Sequence, residues 1–279
     1  MLFRLIRHSK LLTIGFTLTT LPMSALALSF TTIQVPGAIQ TNAIGVNASL
    51  DIVGNYYDSA SVLHGFLLHD GKYFNVDPPS STFTSALGIS TQGDIVGVYS
   101  DSSGNHGFLA HQGVFAAIDV PSSRATQANG INSNGDIVGF YLQGTSYHGF
   151  LLHKGVFSTI DFPGATVTEP GGINSNGDIV GTWVDASGFE HGFLLHAGIW
   201  TSFDVPNASA TVAWGINAGG DIVGYYVDGL SAGARGFLLQ HGTFTIIDFP
   251  GTTSDTAVLG VNSGGAVVGN SGGSGFVAH

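Results

Sequence analysis

The sequence predicts an all-β fold: a six-bladed β-propeller of four-stranded antiparallel blades, with an N-terminal strand closing the last blade. Three observations carry this reading. One phrase recurs along the chain: Gly-Ile-Asn, a turn, Gly-Asp-Ile-Val-Gly, a variable stretch, His-Gly-Phe-Leu-Leu-His, a turn, then Phe-x-x-Ile-Asp-x-Pro-Gly. Its first glycine falls at Gly45, Gly88, Gly130, Gly172, Gly215 and Gly260, a period of 42 to 45 residues. Such a period marks arrays whose units bury their faces only against neighbouring copies. The third observation concerns the ends. The last copy stops at Gly275-Phe276-Val277-Ala278-His279 without its final strand, and that strand stands near the other end as Phe30 to Gly37. Pairing the two removes the exposed sheet edges that an open stack would leave.

Each element of a copy follows from local signals. In the copy from Thr126 to Pro163, Thr126 to Asn132 is a first strand and Ser133-Asn134-Gly135 a hairpin turn, since Asn-Gly between apolar runs favours the tight primed turns. Asp136 to Tyr141 is a second strand, His148 to His153 a third and Val156 to Phe162 a fourth, with Lys154-Gly155 turning between the last two. The strands are short, apolar on both faces and rich in Ile, Val and Phe, as in sheets covered on both sides. Helices are disfavoured throughout by 42 glycines and frequent β-branched residues.

Residues 1–27 read as a secretory signal peptide: Arg4, Arg7 and Lys10, an apolar run from Leu11 to Leu21, then Ala25-Leu26-Ala27. The run is shorter than the roughly 20 residues a spanning helix needs, so the mature chain carries no membrane span. Residues 28–279 form the single propeller domain, and the expected location is secreted, extracellular or periplasmic. Zero cysteines exclude a disulfide framework. After the leader, Lys72, Arg124, Lys154 and Arg235 are the only cations against 18 acids, a field that excludes nucleic acid as a partner.

The repeat resembles the HAF family of probable extracellular repeats. The matching text is His148-Gly149-Phe150-Leu151 with Ile173-Asn174-Ser175-Asn176-Gly177-Asp178-Ile179-Val180-Gly181, and the match extends over essentially the whole mature chain. It departs in the central glycine, where the family has alanine, and in Ile160-Asp161-Phe162-Pro163-Gly164, which replaces a Leu-Gly-rich link. The resemblance implies an extracellular repeat protein and brings no established activity.

The repeated histidines (His64 and His69, His106 and His111, His148 and His153, His191 and His196) are spaced five apart. That odd separation sends a pair to opposite faces of one strand, so it does not clasp one ion. Two aspartate series recur with them: Asp51, Asp94, Asp136, Asp178 and Asp221 after the hairpin turn, and Asp77, Asp119, Asp161, Asp204 and Asp248 before the link to the next blade. Structural hydrogen bonding is the simpler account of both sets. Calcium suits clustered carboxylates, but no D-x-D-x-D spacing supports it, and no cofactor or metal is expected.

Function is sought on the rim shared by the loops between second and third strands and the links between blades. The entry to that rim carries Tyr56, Tyr99, Tyr141, Trp183 and Tyr226, and two residues further on Asp58, Asp101, Gln143, Asp185 and Asp228. An aromatic face beside a hydrogen-bonding group suits a sugar. The fourth copy breaks the symmetry most, with Trp183, Asp185, Glu190 and, in the rim loop leading into it, Glu169, while Trp214 stands alone on the next first strand. The leading expectation is a non-catalytic propeller that binds an extracellular glycan or a cell-envelope protein. The alternatives are a glycan-active enzyme using two of Glu169, Asp185 and Glu190 as acid and base, and a structural envelope module.

Overall fold

The computed structural model describes residues 28–229, 233–251 and 255–279; the expected signal peptide lies outside the described residues. Among the described residues every regular element is a strand. In chain order these are β1 (Phe30–Ile33), β2 (Gln40–Val46), β3 (Ile52–Tyr57), β4 (Leu63–His69), β5 (Lys72–Asn75), β6 (Phe83–Ile89), β7 (Ile95–Asp101), β8 (Gly104–His111) and β9 (Val114–Ile118). There follow β10 (Ala125–Ile131), β11 (Ile137–Gln143), β12 (Ser146–His153), β13 (Val156–Thr159), β14 (Val167–Ile173), β15 (Ile179–Val184), β16 (Glu190–His196) and β17 (Ile199–Phe203). The last are β18 (Ala210–Ile216), β19 (Ile222–Val227), β20 (Arg235–Gln240), β21 (Thr243–Ile247), β22 (Thr256–Val261), β23 (Val267–Ser271) and β24 (Ser274–Ala278).

The strands form antiparallel meanders in a propeller arrangement. Four sheets have four strands each, ordered β2-β3-β4-β5, β14-β15-β16-β17, β18-β19-β20-β21 and β22-β23-β24-β1. The remaining strands, β6 to β13, join into one eight-stranded sheet, a departure from the uniform four-stranded units expected. The junction is a single parallel pair, Ala125 beside Asn105. It involves Asn105, near the start of β8, and Ala125, the first residue of β10. β1 pairs antiparallel with β24, Phe30 opposite Ala278 and Ile33 opposite Gly275, so the N-terminal strand completes the final sheet. The fourth strand of the third copy ends sooner than its apolar pattern suggests, at Thr159, because Asp161 turns in to accept the Gly149 N–H at 3.1 Å.

The repeated residues lock these sheets. Phe66, Phe108, Phe150, Phe193, Phe237 and Phe276 are fully buried, each over the glycine of a Val-Gly pair. A Cβ on Gly54 would meet the Phe66 ring at 2.9 Å and the Asn42 carbonyl oxygen at 1.9 Å, so only glycine lets ring and strand approach. At the axis, Gly45, Gly88, Gly130, Gly172, Gly215 and Gly260 pack each against the next and the last against the first: a Cβ on Gly130 would lie 3.0 Å from Gly172 Cα, and one on Gly260 2.6 Å from the Ile44 carbonyl oxygen. The residue before each axial glycine (Ile44, Leu87, Asn129, Gly171, Trp214, Leu259) is skipped in the pairing register, a β-bulge that leaves these residues lining the axis.

Asparagines of the Gly-Ile-Asn phrase bridge the sheets. Asn132 Nδ2 donates to the Asn174 carbonyl, Asn174 to Asn217 and Asn217 to Asn262, each at 3.1 Å, and Asn262 donates to Asn47 at 3.0 Å. The same side chains accept the N–H groups of their own hairpin turns through Oδ1. Threonines on the innermost strands latch the links in the same way: Val35, Val120, Phe162, Val205 and Phe249 each donate a backbone N–H to Thr41, Thr126, Thr168, Thr211 and Thr256.

Candidate functional site: a cavity on the rim

The links and the turns between second and third strands do share one rim. Link N–H groups of Ile39, Thr82, Arg124, Thr166 and Ser209 donate to the carbonyls of Tyr57, Ser100, Leu142, Val184 and Val227, at the ends of the second strands.

The two histidine series pair with the two aspartate series, one set on this rim and one on the other. Nδ1 of His64, His106, His148 and His191 lies 2.8–3.0 Å from Asp77, Asp119, Asp161 and Asp204, and in the fifth copy Arg235 replaces histidine and pairs with Asp248. On the opposite rim, Nδ1 of His69, His111, His153 and His196 lies 2.5–2.6 Å from Asp51, Asp94, Asp136 and Asp178. The Asp51 hydrogen bond and charge hold the His69 imidazole above its ordinary range. Among the described residues no three His, Cys, Asp or Glu side chains converge as metal ligands.

The expected aromatic series packs within this framework. Tyr56, Tyr99, Tyr141 and Trp183 lie over His64, His106, His148 and His191 with ring centroids 4.7–5.6 Å apart. The other face of Trp183 stacks on Phe162 at 4.3 Å, and its Nε1 donates to Ser202 Oγ at 2.9 Å. Tyr141 and Tyr226 are only 5% and 4% exposed, and so offer no ring face to a ligand.

The aspartates that follow make the turns. Asp58 accepts the Ala60 and Val62 N–H groups, and Asp185 those of Ser187 and Phe189. Asp101 accepts the Ser103 N–H and hydroxyl. These carboxyls sit below the usual carboxylate range, Asp58 and Asp185 chiefly through backbone hydrogen bonds from Val62 and Phe189, Asp101 through the Ser103 hydroxyl. Gln143 ends β11 exposed to solvent, and Asp228 lies beside Tyr226 and Arg235. Trp214 is one of the axial bulge residues and packs in an apolar cluster with Ile44, Leu87 and Leu259 around a small axial cavity of about 70 Å³.

Of the three carboxylates considered for catalysis, two come together. Glu169 pairs with Thr182, which pairs with Gly192; Glu190 pairs with Val184, which pairs with Val167. Glu169 thus lies on β14 rather than in the link before it, and the alternation of strands puts both glutamates on one sheet face, on the two strands that flank β15. Burial raises the Glu169 carboxyl above its ordinary range and the Glu190 charge adds to it; burial, Glu190 and Glu169 likewise raise Tyr225 on the next sheet. Asp185 stays with its turn and His191.

Glu169 also lines the larger cavity, about 290 Å³, which opens beside the second-to-third-strand turns. Its walls include Phe140, Tyr147, Asn105, Gln127 and Val98. Phe140 and Tyr147 meet edge to face at 5.6 Å, with Tyr147 39% exposed. Ser100 Oγ donates to Asn105 Oδ1, which leaves the Asn105 amide N–H groups to donate. Gln127 Nε2 donates to Asn129 Oδ1 at 2.9 Å, and Asn129 in turn donates to the Pro170 carbonyl at 2.7 Å, so the Gln127 oxygen is a held acceptor. Aromatic faces, an amide donor, an amide acceptor and a carboxyl thus border one space.

Phe140, Tyr147, Asn105 and Gln127 are not among the residues the sequence singles out. Their signal is variation inside an otherwise constant strand pair: Asn42 opposite Asn55, Ser85 opposite Val98, Gln127 opposite Phe140, Glu169 opposite Thr182, Val212 opposite Tyr225, and Ala257 opposite Asn270. The first-strand residue differs in all six copies and the second-strand residue recurs only as Asn55 and Asn270, while the residues around them repeat.

No protein-family model matches the chain, and no curated protein matches it. Solved structures do. TolB from Acinetobacter baumannii superposes with a TM-score of 0.59 at 11% identity, over 87% of this chain and 64% of that one. A catalytically inactive virginiamycin B lyase from Staphylococcus aureus, solved with quinupristin, gives 0.55 at 12% identity, over 90% and 99%. The Aleuria aurantia lectin with α-methyl-L-fucoside gives 0.51 at 14% identity, over 86% and 89%. At these identities the likeness is one of fold, and the fold it shows is an all-β propeller arrangement.

Proposed function

We propose that this chain is an exported six-bladed propeller that binds a carbohydrate, without catalysis, in the cavity between Phe140, Tyr147, Gln127 and Glu169. The count of six rests on the axial glycines, which close on one another through six copies, and on the single residue pair that joins β6–β9 to β10–β13. Export rests on the leader-like residues 1–27 and on the resemblance to extracellular repeats. The observation that carries the binding reading is the cavity itself: roughly 290 Å³, an aromatic pair on one wall and held amide groups and a carboxyl on the others. Sugars present apolar C–H faces and a ring of hydroxyls, and this wall chemistry meets both.

The test is retention on a panel of immobilised polysaccharides. Wild type is retained by at least one, and Tyr147→Ala lowers affinity about tenfold, the loss of roughly 1.4 kcal/mol, with an unchanged circular dichroism spectrum. Trp183→Ala lowers thermal stability instead, since its ring is held between Phe162 and His191. Absence of retention across the panel overturns the reading. Glu169 and Glu190, on one sheet face across β15, support a second one, glycan hydrolysis with the raised Glu169 carboxyl as acid, which predicts reducing-end release that Glu190→Gln abolishes.

A further inference from the structure

Glu169 is a half-buried acid that no ion pair among the described residues neutralises. Among the described residues neither Glu169 nor Glu190 forms an ion pair. Of the four cations that follow the leader, Lys72 opens the outermost strand β5, Lys154 sits in the turn from β12 to β13 and Arg235 is bound to Asp248; Arg124 adjoins the cavity-lining Ala125, but its guanidinium reaches the Gly144 carbonyl at 3.5 Å and forms no ion pair with Glu169. The equivalent positions in the other copies carry Asn42, Ser85, Gln127, Val212 and Ala257, so the fold accepts neutral side chains there. An amide, as at Gln127, would serve a neutral hydroxyl. A carboxylate in a partly desolvated cavity costs free energy unless a cation arrives to meet it.

We propose that the cavity selects a saccharide bearing a protonated amine, such as a de-N-acetylated hexosamine, with the ammonium group against Glu169 and the sugar ring against Tyr147 and Phe140. This rests on the carbohydrate reading above and adds to it the charge of the ligand. The ammonium donates to the Glu169 carboxylate, and the nearby Glu190 strengthens the negative field at that end of the cavity. N-acetylation removes the charge and adds bulk, so the acetylated sugar loses the interaction that distinguishes Glu169 from Gln127. The excess of acids over cations in the whole chain favours approach of such a ligand but gives no selectivity among sites.

Calorimetric titration of glucosamine oligomers and N-acetylglucosamine oligomers of equal length tests the assignment on wild type, Glu169→Gln, Tyr147→Ala and Asp70→Asn. Asp70 lies in an exposed turn with its side chain 88% accessible, so Asp70→Asn controls for overall charge. Wild type is expected to prefer the amine form by about tenfold or more, Glu169→Gln to bind both forms within about twofold, Asp70→Asn to keep the preference and Tyr147→Ala to weaken both. Glu169→Gln is close in shape and removes an unpaired charge, so its fold is retained. Equal binding of the two oligomers by wild type overturns the amine assignment and leaves the carbohydrate reading standing. A preference that survives Glu169→Gln, or that Asp70→Asn removes as fully, overturns the role of Glu169. No binding of either oligomer overturns the amine assignment, while retention on a neutral polysaccharide in the panel would still uphold the carbohydrate reading.

Discussion

The repeated polar side chains of this protein are answered by one another or by the backbone of a turn, a link or the next sheet. His148 meets Asp161, His153 meets Asp136, and Asn132 meets both the Asp136 carboxylate and the next sheet. Glu169 stands outside this scheme, and its raised pKa makes a direct prediction. A group whose folded pKa exceeds its unfolded value favours the fold below the unfolded pKa, and that contribution is lost as pH rises through the folded one. Glu169→Gln is therefore expected to melt at a higher temperature than wild type at pH 7, with the two melting curves converging near about pH 3–4, below the ordinary range of a glutamate. Thermal scans across that range check it; a lower melting temperature for the variant at pH 7 contradicts the unpaired, desolvated placement of Glu169. Keeping a residue that weakens the fold is the pattern of a site maintained for binding. At this scale the sequence was legible where it repeats. The histidine and aspartate series follow from their strict recurrence, whereas Phe140 and Gln127 lie at positions whose identity changes from copy to copy, and only the strand register brings them opposite each other.

Each innermost strand combines an axial glycine, a bulge before it and an asparagine two residues after the glycine. The glycine lets neighbouring backbones approach at the axis, the bulge leaves the preceding residue lining it, and the asparagine ties its hairpin to the next sheet. The tie is missing once: the second copy has Ser90, whose Oγ accepts the Gln92 and Asp94 N–H groups but which makes no side-chain bond to Asn132. Two variants test the importance of this ring. Asn262→Ala removes the bond to the Asn47 carbonyl and leaves the Gly264 and Ala266 N–H groups without an acceptor, an expected loss of about 2 kcal/mol in chemical unfolding. Ser90→Asn supplies the absent bond and is expected to add about 1 kcal/mol. Equal stability of Asn262→Ala and wild type would show that the bridging bonds contribute nothing net. The hairpin role of these asparagines is readable from Asn-Ser-Asn-Gly, but the bond to the adjacent sheet spans 42 or more residues and has no local signal.

At the scale of the whole molecule, closure comes from β1. Its four residues pair with β24, and Phe30 packs its ring against Phe249 and Phe276, both at centroid distances of 5.4 Å. Removal of residues 28–36 would expose the β24 edge and this aromatic cluster together, an open edge of the kind that templates association. A chain starting at residue 37 is expected to elute as oligomers or aggregate in size-exclusion chromatography under conditions where the chain starting at residue 28 elutes as a single discrete species; identical elution and melting of the two would deny β1 its closing role. The all-β class, the repeat and the pairing of the two chain ends were determined by the sequence alone, because glycine spacing, turn dipeptides and a strand missing at one end and present at the other are local facts. The cavity was decided only by tertiary structure. Its wall takes residues from β7, β8, β10, β11, β12 and β14, and how far adjacent sheets part at the rim depends on packing summed over the ring, which no single copy encodes.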